Sequence, residues 1–160
     1  MRWKSWIVVL GLLGLWSGDA LAQRSGFGLG VIVGEPTGLS AKGWTGRNSA
    51  VDFAAAWSFS GESALHLHAD LVWHKFDLLH VSEGQLPFYY GIGMRVKFSG
   101  GEDHQDDDVT VGLRIPLGLD YLFGGGTPLD VFFELVPIVD LVPDTDASLN
   151  ASLGLRYWFN

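Results

Sequence analysis

Beyond its first two dozen residues the chain alternates apolar and non-apolar positions almost throughout. The clearest run is Val109 to Phe123. One face carries Val109, Val111, Leu113, Ile115, Leu117, Leu119, Tyr121 and Phe123, and the other Thr110, Gly112, Arg114, Pro116, Gly118, Asp120 and Leu122. A β-strand produces this pattern because successive side chains point to opposite faces. The same split recurs over 51–59, 65–74, 88–98, 129–141 and 149–159. Shorter, weaker versions run from Gly26 to Gly34 and from Leu39 to Thr45. Turn signals separate most of these runs, among them Glu35-Pro36-Thr37-Gly38, Gly46-Arg47-Asn48-Ser49, Gly124-Gly125-Gly126-Thr127 and Pro143-Asp144-Thr145-Asp146. The pattern predicts eight strands with no helix and no linker, and two longer connections, 76–87 and 99–108.

The amino terminus reads differently. Arg2 and Lys4 precede an 11-residue apolar run, Trp6 to Trp16, and then the small-x-small sequence Ala20-Leu21-Ala22. That order is the signature of an export signal, and the run falls well short of the roughly 20 residues of a membrane-spanning helix. We therefore read 1–22 as a signal peptide cleaved after Ala22 and 23–160 as one exported domain. Cleavage removes Arg2, Lys4 and Asp19, leaving 138 residues of net charge −9.

Composition narrows the classes further. The chain is 48% hydrophobic and only 18% charged, with 22 glycines, 7 Trp, 4 Tyr and 10 Phe. This excludes disorder, which needs low hydrophobicity and high charge, and a coiled coil. The absence of cysteine rules out a disulfide scaffold, a thiolate metal site, a cysteine nucleophile and a lipid-modified cysteine. The acidic balance speaks against nucleic acid as a partner.

A soluble barrel or sandwich also alternates, so the deciding question is which face lies inside. The apolar face is almost unbroken, with large residues along every strand. The other mixes charges with glycines and with Tyr89, Phe132 and Trp158, which suits a tight polar lumen better than a wet surface. Strands of roughly 9–11 residues cross a bilayer when tilted, and only a closed barrel satisfies every backbone group there without helices. The prediction is an all-β, eight-stranded antiparallel transmembrane β-barrel, an up-and-down meander that is apolar outside. Lys42, Arg95, Lys97, Arg114 and Arg156 then face inward with Asp52, Asp70, Asp120, Asp130, Glu134 and Asp140. Such a barrel has room only for its own side chains, and unpaired buried charges are costly. A central network is expected in which Arg95, Arg114 and Arg156 bridge Asp70, Asp120 and Glu134. Pro116 and Pro137 fall inside strands, where proline removes a ladder bond, so each is expected to mark a bulge or a strand end.

The export signal, the eight alternating strands and the ending Leu155-Arg156-Tyr157-Trp158-Phe159-Asn160 resemble the small OmpA/OmpX-like barrels of Gram-negative outer membranes. The resemblance implies an outer-membrane location and makes Tyr157 and Phe159 the candidate signal for the barrel-assembly machinery. The family's usual ending is the aromatic itself, whereas here Asn160 follows it. The segment Gly28 to Lys42, with Gly34-Glu35-Pro36-Thr37-Gly38-Leu39-Ser40 at its centre, also looks like a family of uncharacterised small outer-membrane barrels that share it. It implies architecture and location, and no settled activity.

Candidate chemistry is sparse. His66, His68 and His74 share one strand face with Asp70, with neighbours about 7 Å apart, so two of them could ligate a divalent metal. Hydrogen-bonded lumen histidines are the commoner outcome, and no cofactor is assigned. The run Glu102-Asp103-His104-Gln105-Asp106-Asp107-Asp108 could hold divalent cations near lipopolysaccharide, but it lacks a calcium-loop spacing and reads as a solvated loop. Ser58, Ser60 and Ser152 sit in no nucleophile motif, and Gly28-Leu29-Gly30 and Gly124-Gly125-Gly126 precede no helix, so neither is a phosphate loop. The sequence therefore points to a non-enzymatic outer-membrane barrel in contact with lipid and lipopolysaccharide. The alternatives are a narrow ion channel and a lipid A-modifying enzyme. With both termini periplasmic, 76–87 would be a long periplasmic turn where short ones are usual, which leaves open an uncounted strand.

Overall fold

The computed structural model describes residues 25–58, 64–100 and 108–159, so residues 1–22, expected to be an export signal, lie outside the described residues. Nine strand segments follow in order: β1 Phe27–Gly34, β2 Thr37–Trp44, β3 Ser49–Ser58, β4 Ala64–Lys75, β5 Phe88–Ser99, β6 Asp108–Arg114, β7 Leu117–Leu122, β8 Leu129–Val142 and β9 Asp146–Phe159. Apart from β6 and β7, sequence neighbours pair antiparallel, and β9 pairs with β1, which closes the ring. Both β6 and β7 lie between β5 and β8, and the register on each side runs on unchanged from Arg114 to Leu117. The two segments are halves of one stave, so the ring has the expected eight staves.

The break in that stave has a local cause. Gly91 donates to the Pro116 carbonyl (2.9 Å), and Ile115 donates to the Pro137 carbonyl (3.0 Å). In an antiparallel hydrogen-bonded pair each residue both donates and accepts. Neither proline can return the bond, so two neighbouring ladder positions on opposite edges of the stave are empty. Pro116 thus marks a strand end. The expectation for Pro137 is corrected: it sits inside β8, paired with Leu149, and interrupts the adjacent stave rather than its own. The register shift against β8 lies instead at Val111/Gly112.

The register also fixes the shape. Stepping across the ladder from Asp130 leads to Arg156, Gly30, Ser40, Ala54, His68, Arg95, Gly112 and finally Asp140, ten residues further along the strand of departure. A stagger of ten residues over eight staves tilts the strands by about 40°. Every residue on that circuit points inward, and it carries two arginines, a histidine and two aspartates.

Side chains are distributed inside-out relative to a water-soluble domain. Leu29, Ile92, Met94 and Leu153 are about half exposed, whereas Lys42, Asp120, Arg114 and Arg156 are at most 2% exposed. The outer wall is a near-continuous apolar surface from Phe27 and Phe159 at one end to Phe98, Val109 and Leu141 at the other. Inside, wall glycines make room for leaning aromatics. A Cβ at Gly118 would run into the Tyr89 ring, and one at Gly154 into Phe132. Gly154→Ala should therefore cost about 1–3 kcal/mol through overpacking. Gly43→Ala, where a Cβ meets nothing within 4 Å, should be neutral or slightly favourable. Chemical unfolding of the refolded barrel reads both, and equal midpoints would contradict the packing account.

Connections 45–48, 76–87 and 123–128 lie at the end that carries both termini. The long connection hides no strand. Gln85 and Leu122 exchange both backbone bonds (2.9 and 2.8 Å), and Asp120 donates to the Pro87 carbonyl (3.0 Å). Residues 85–87 thus extend the line of β5 beside β7, and the true excursion is 76–84.

Candidate site in the barrel lumen

The inward charges form two clusters stacked along the barrel. The cluster nearer the termini centres on Arg156, whose register partner on β8 is Asp130. Arg156 donates from Nε to Asp130 (3.0 Å), from Nη2 to Asp120 (3.1 Å) and from Nη1 to Asp52 (3.4 Å). Its guanidinium lies 4.1 Å from the Phe132 ring centroid. Lys42 Nζ donates to the same Asp120 oxygen at 2.9 Å and sits 2.7 Å from His74 Nε2. Trp158 Nε1 donates to Asp130 (2.7 Å). Two cations thus hold three carboxylates, drawn from β2, β3, β7, β8 and β9, and the salt bridges tie opposite walls of the barrel together.

In the second cluster Arg114 donates from Nε to Asp70 (3.0 Å) and from Nη2 to Glu134 (3.3 Å), and Tyr89 Oη donates to Glu134 (2.7 Å). Arg95 departs from the expected set. It grips Asp140 in a two-pronged pair, 2.9 and 2.6 Å, and makes no ion pair with Asp70, Asp120 or Glu134. The register explains this, because only Gly112 separates Arg95 from Asp140 around the wall, and a glycine leaves the guanidinium a clear path.

The three histidines point inward but do not converge. His74 belongs to the cluster nearer the termini, His68 Nε2 lies 3.9 Å from Asp70, and buried His66 Nε2 has no hydrogen-bond partner among the described residues. Among the described residues no group of three His, Asp or Glu is arranged to hold a metal. Glu102, Asp103, Asp106 and Asp107 lie outside the described residues, while Asp108 is exposed at the start of β6 opposite Ser99. Tyr157 and Phe159 pack edge-on at 4.9 Å on the outer wall. Ser152 faces the lumen as the register partner of Glu134, and Ser60 lies outside the described residues.

Sequence reasoning missed an aromatic floor. At the terminus-bearing end Trp44 stacks on Trp158 (6.0 Å) and packs on His74 (4.6 Å) and Phe76 (6.3 Å). Lys42 Nζ lies 5.3 and 5.0 Å from the Trp44 and Tyr89 ring centroids. The available signal was the appearance of aromatics on the charged face. Between the two clusters a cavity of about 20 Å³ is lined by Ser40, Asp52, His68, Arg114, Glu134 and Arg156. That is space for about one water molecule. The arrangement can neutralise charge and obstruct the bore, and it offers no space there for an organic substrate.

No family model and no curated protein matches the chain. Among solved structures it is similar to the crystal structure of the N-terminal β-barrel domain of Pseudomonas aeruginosa OprF. The TM-score is 0.63 at 14% identity, over 83% of this chain and 96% of that one. At that identity the likeness is one of fold: a closed antiparallel barrel.

Proposed function

We propose that the protein is a non-enzymatic integral outer-membrane β-barrel of a Gram-negative bacterium, exported by its cleaved signal and acting structurally or through its surface loops. The observation that carries this reading is the inverted burial, in which large apolar side chains cover the wall while arginine, lysine and aspartate are fully buried inside. In water such a wall would be a very large exposed apolar patch. In lipid it is the expected surface, and among the described residues every stave of the closed ladder pairs with a neighbour on both sides. The chemistry of this wall makes outer-membrane lipid and lipopolysaccharide its natural partners, and Tyr157 and Phe159 remain the candidate handle for the barrel-assembly machinery. Cell fractionation tests the proposal. The mature protein should partition with the outer membrane and show heat-modifiable gel mobility, and a detergent-free, water-soluble monomer would overturn it.

The water-sized cavity among charges favours a narrow ion channel as the second reading. The two readings part in planar bilayers. A plugged barrel gives no stable conductance steps, and steps that vanish in Arg114→Ala would establish conduction through the lumen. A lipid A-modifying activity has least support inside the barrel, where an acyl chain does not fit a cavity of about 20 Å³. Release of acyl chains from lipopolysaccharide in a His68-dependent way would reverse that ranking.

A further inference from the structure

The excursion 76–84 carries exposed apolar side chains that the barrel wall does not account for. Leu78, Leu79 and Val81 are 62%, 41% and 39% exposed, and they are interleaved with the polar Asp77, His80 and Glu83. The segment is tied at both ends. Phe76 turns inward and stacks on His74 (6.1 Å). At the other end Tyr121 Oη donates to the Glu83 carbonyl (3.1 Å), and Gln85 joins the ladder beside Leu122. Tyr121 faces the outer wall and packs edge-on with Phe123 (4.9 Å). Next to it on the same rim lie Trp73, Tyr90 and Phe88, the first two 6.1 Å apart and the last two 6.4 Å apart. Five aromatic side chains therefore line the outer rim of β4, β5 and β7, directly above the place where the segment leaves the barrel. Such a belt marks the level of a membrane–water interface.

We infer that residues 77–83 form an amphipathic interfacial anchor, with Leu78, Leu79 and Val81 inserted into the periplasmic leaflet. The inference rests on the outer-membrane reading with both termini periplasmic. Continuity with the apolar wall through the aromatic rim selects lipid over a protein partner as the occupant. An interfacial segment buries its apolar side chains in the boundary between headgroups and acyl chains while its polar ones stay in water, and 77–83 supplies exposed side chains of both kinds. It also explains why a periplasmic connection is longer than a tight turn, since nine residues reach the interface where two or three would not.

The native chain has no cysteine, so single cysteines report without background. Leu79→Cys and, on the wall, Leu155→Cys are labelled with a polarity-sensitive fluorophore. The mature barrel is refolded into phosphatidylcholine vesicles with or without lipids brominated near the headgroup. The Leu79 label is expected to emit at blue-shifted wavelengths and to lose most of its emission to the shallow quencher. A water-like, unquenched Leu79 label beside a blue-shifted Leu155 label overturns the anchor and leaves the segment as a surface for soluble partners. A water-like label at both positions overturns the membrane reading as well.

Discussion

Replacing Arg156 by methionine is expected to destabilise the folded barrel by about 3–5 kcal/mol, the usual cost of removing one partner from a buried ion pair. Arg156 is 2% exposed, and its guanidinium is shared among Asp130, Asp120 and Asp52. Without it, among the described residues, Lys42 is the one cation still bonded to any of the three, through Asp120, and Asp130 keeps only the Trp158 indole N–H. Methionine approximates the length of the lost stem, so the loss reports charge rather than volume. Arg95→Met should cost less, because Arg95 faces a single carboxylate and the pair is more accessible, 8% and 12% against 2% and 0% for Arg156 and Asp130. The double variant Arg156→Met/Asp130→Asn should recover part of the loss, since contacting residues couple rather than add. Urea unfolding in lipid vesicles, followed by the gel-mobility shift, reads all three. An unchanged midpoint for Arg156→Met would mean that water already neutralises this cluster.

The period-2 pattern carried most of the architecture because one face of every strand is uniformly apolar. Slipping a strand by one residue would move that whole face to the other side, so register and sidedness are both encoded. It even spans the interruption at Ile115-Pro116, where Arg114 and Asp120 stay on one face across two missing bonds. What the pattern could not supply was the pairing of charges inside. Alternation says that Arg95 points inward. It does not say that Gly112 leaves Asp140 as the nearest carboxylate, because that depends on a register set by residues far apart in sequence. The aromatic floor escaped notice for a related reason. Trp44, Phe76 and Trp158 come from three separate elements, and only closure of the ring brings them together. The long connection 76–87 looked anomalous because its last three residues, 85–87, continue the line of β5, a fact visible only through the bonds to β7.

Leu153→Arg supplies a test in which the sign of the effect depends on what surrounds the wall. Leu153 lies near the middle of β9, is 53% exposed, and has Val33 and Phe133 as its register partners. If the wall faces lipid, an arginine there costs about 2–4 kcal/mol at the bilayer midplane, falling toward the interfaces. If the wall faces water, a half-exposed leucine can be exchanged for arginine with a change of about 0.5 kcal/mol or less. The same substitution at Leu149, which is 67% exposed toward the opposite end of β9 from Phe159, should cost less in lipid because its guanidinium reaches the headgroups. The pair therefore yields a depth profile as well as a yes or no. Unfolding midpoints in phospholipid vesicles should drop most for Leu153→Arg and less for Leu149→Arg. Equal, near-zero shifts would show that the apolar wall does not lie in a hydrocarbon layer.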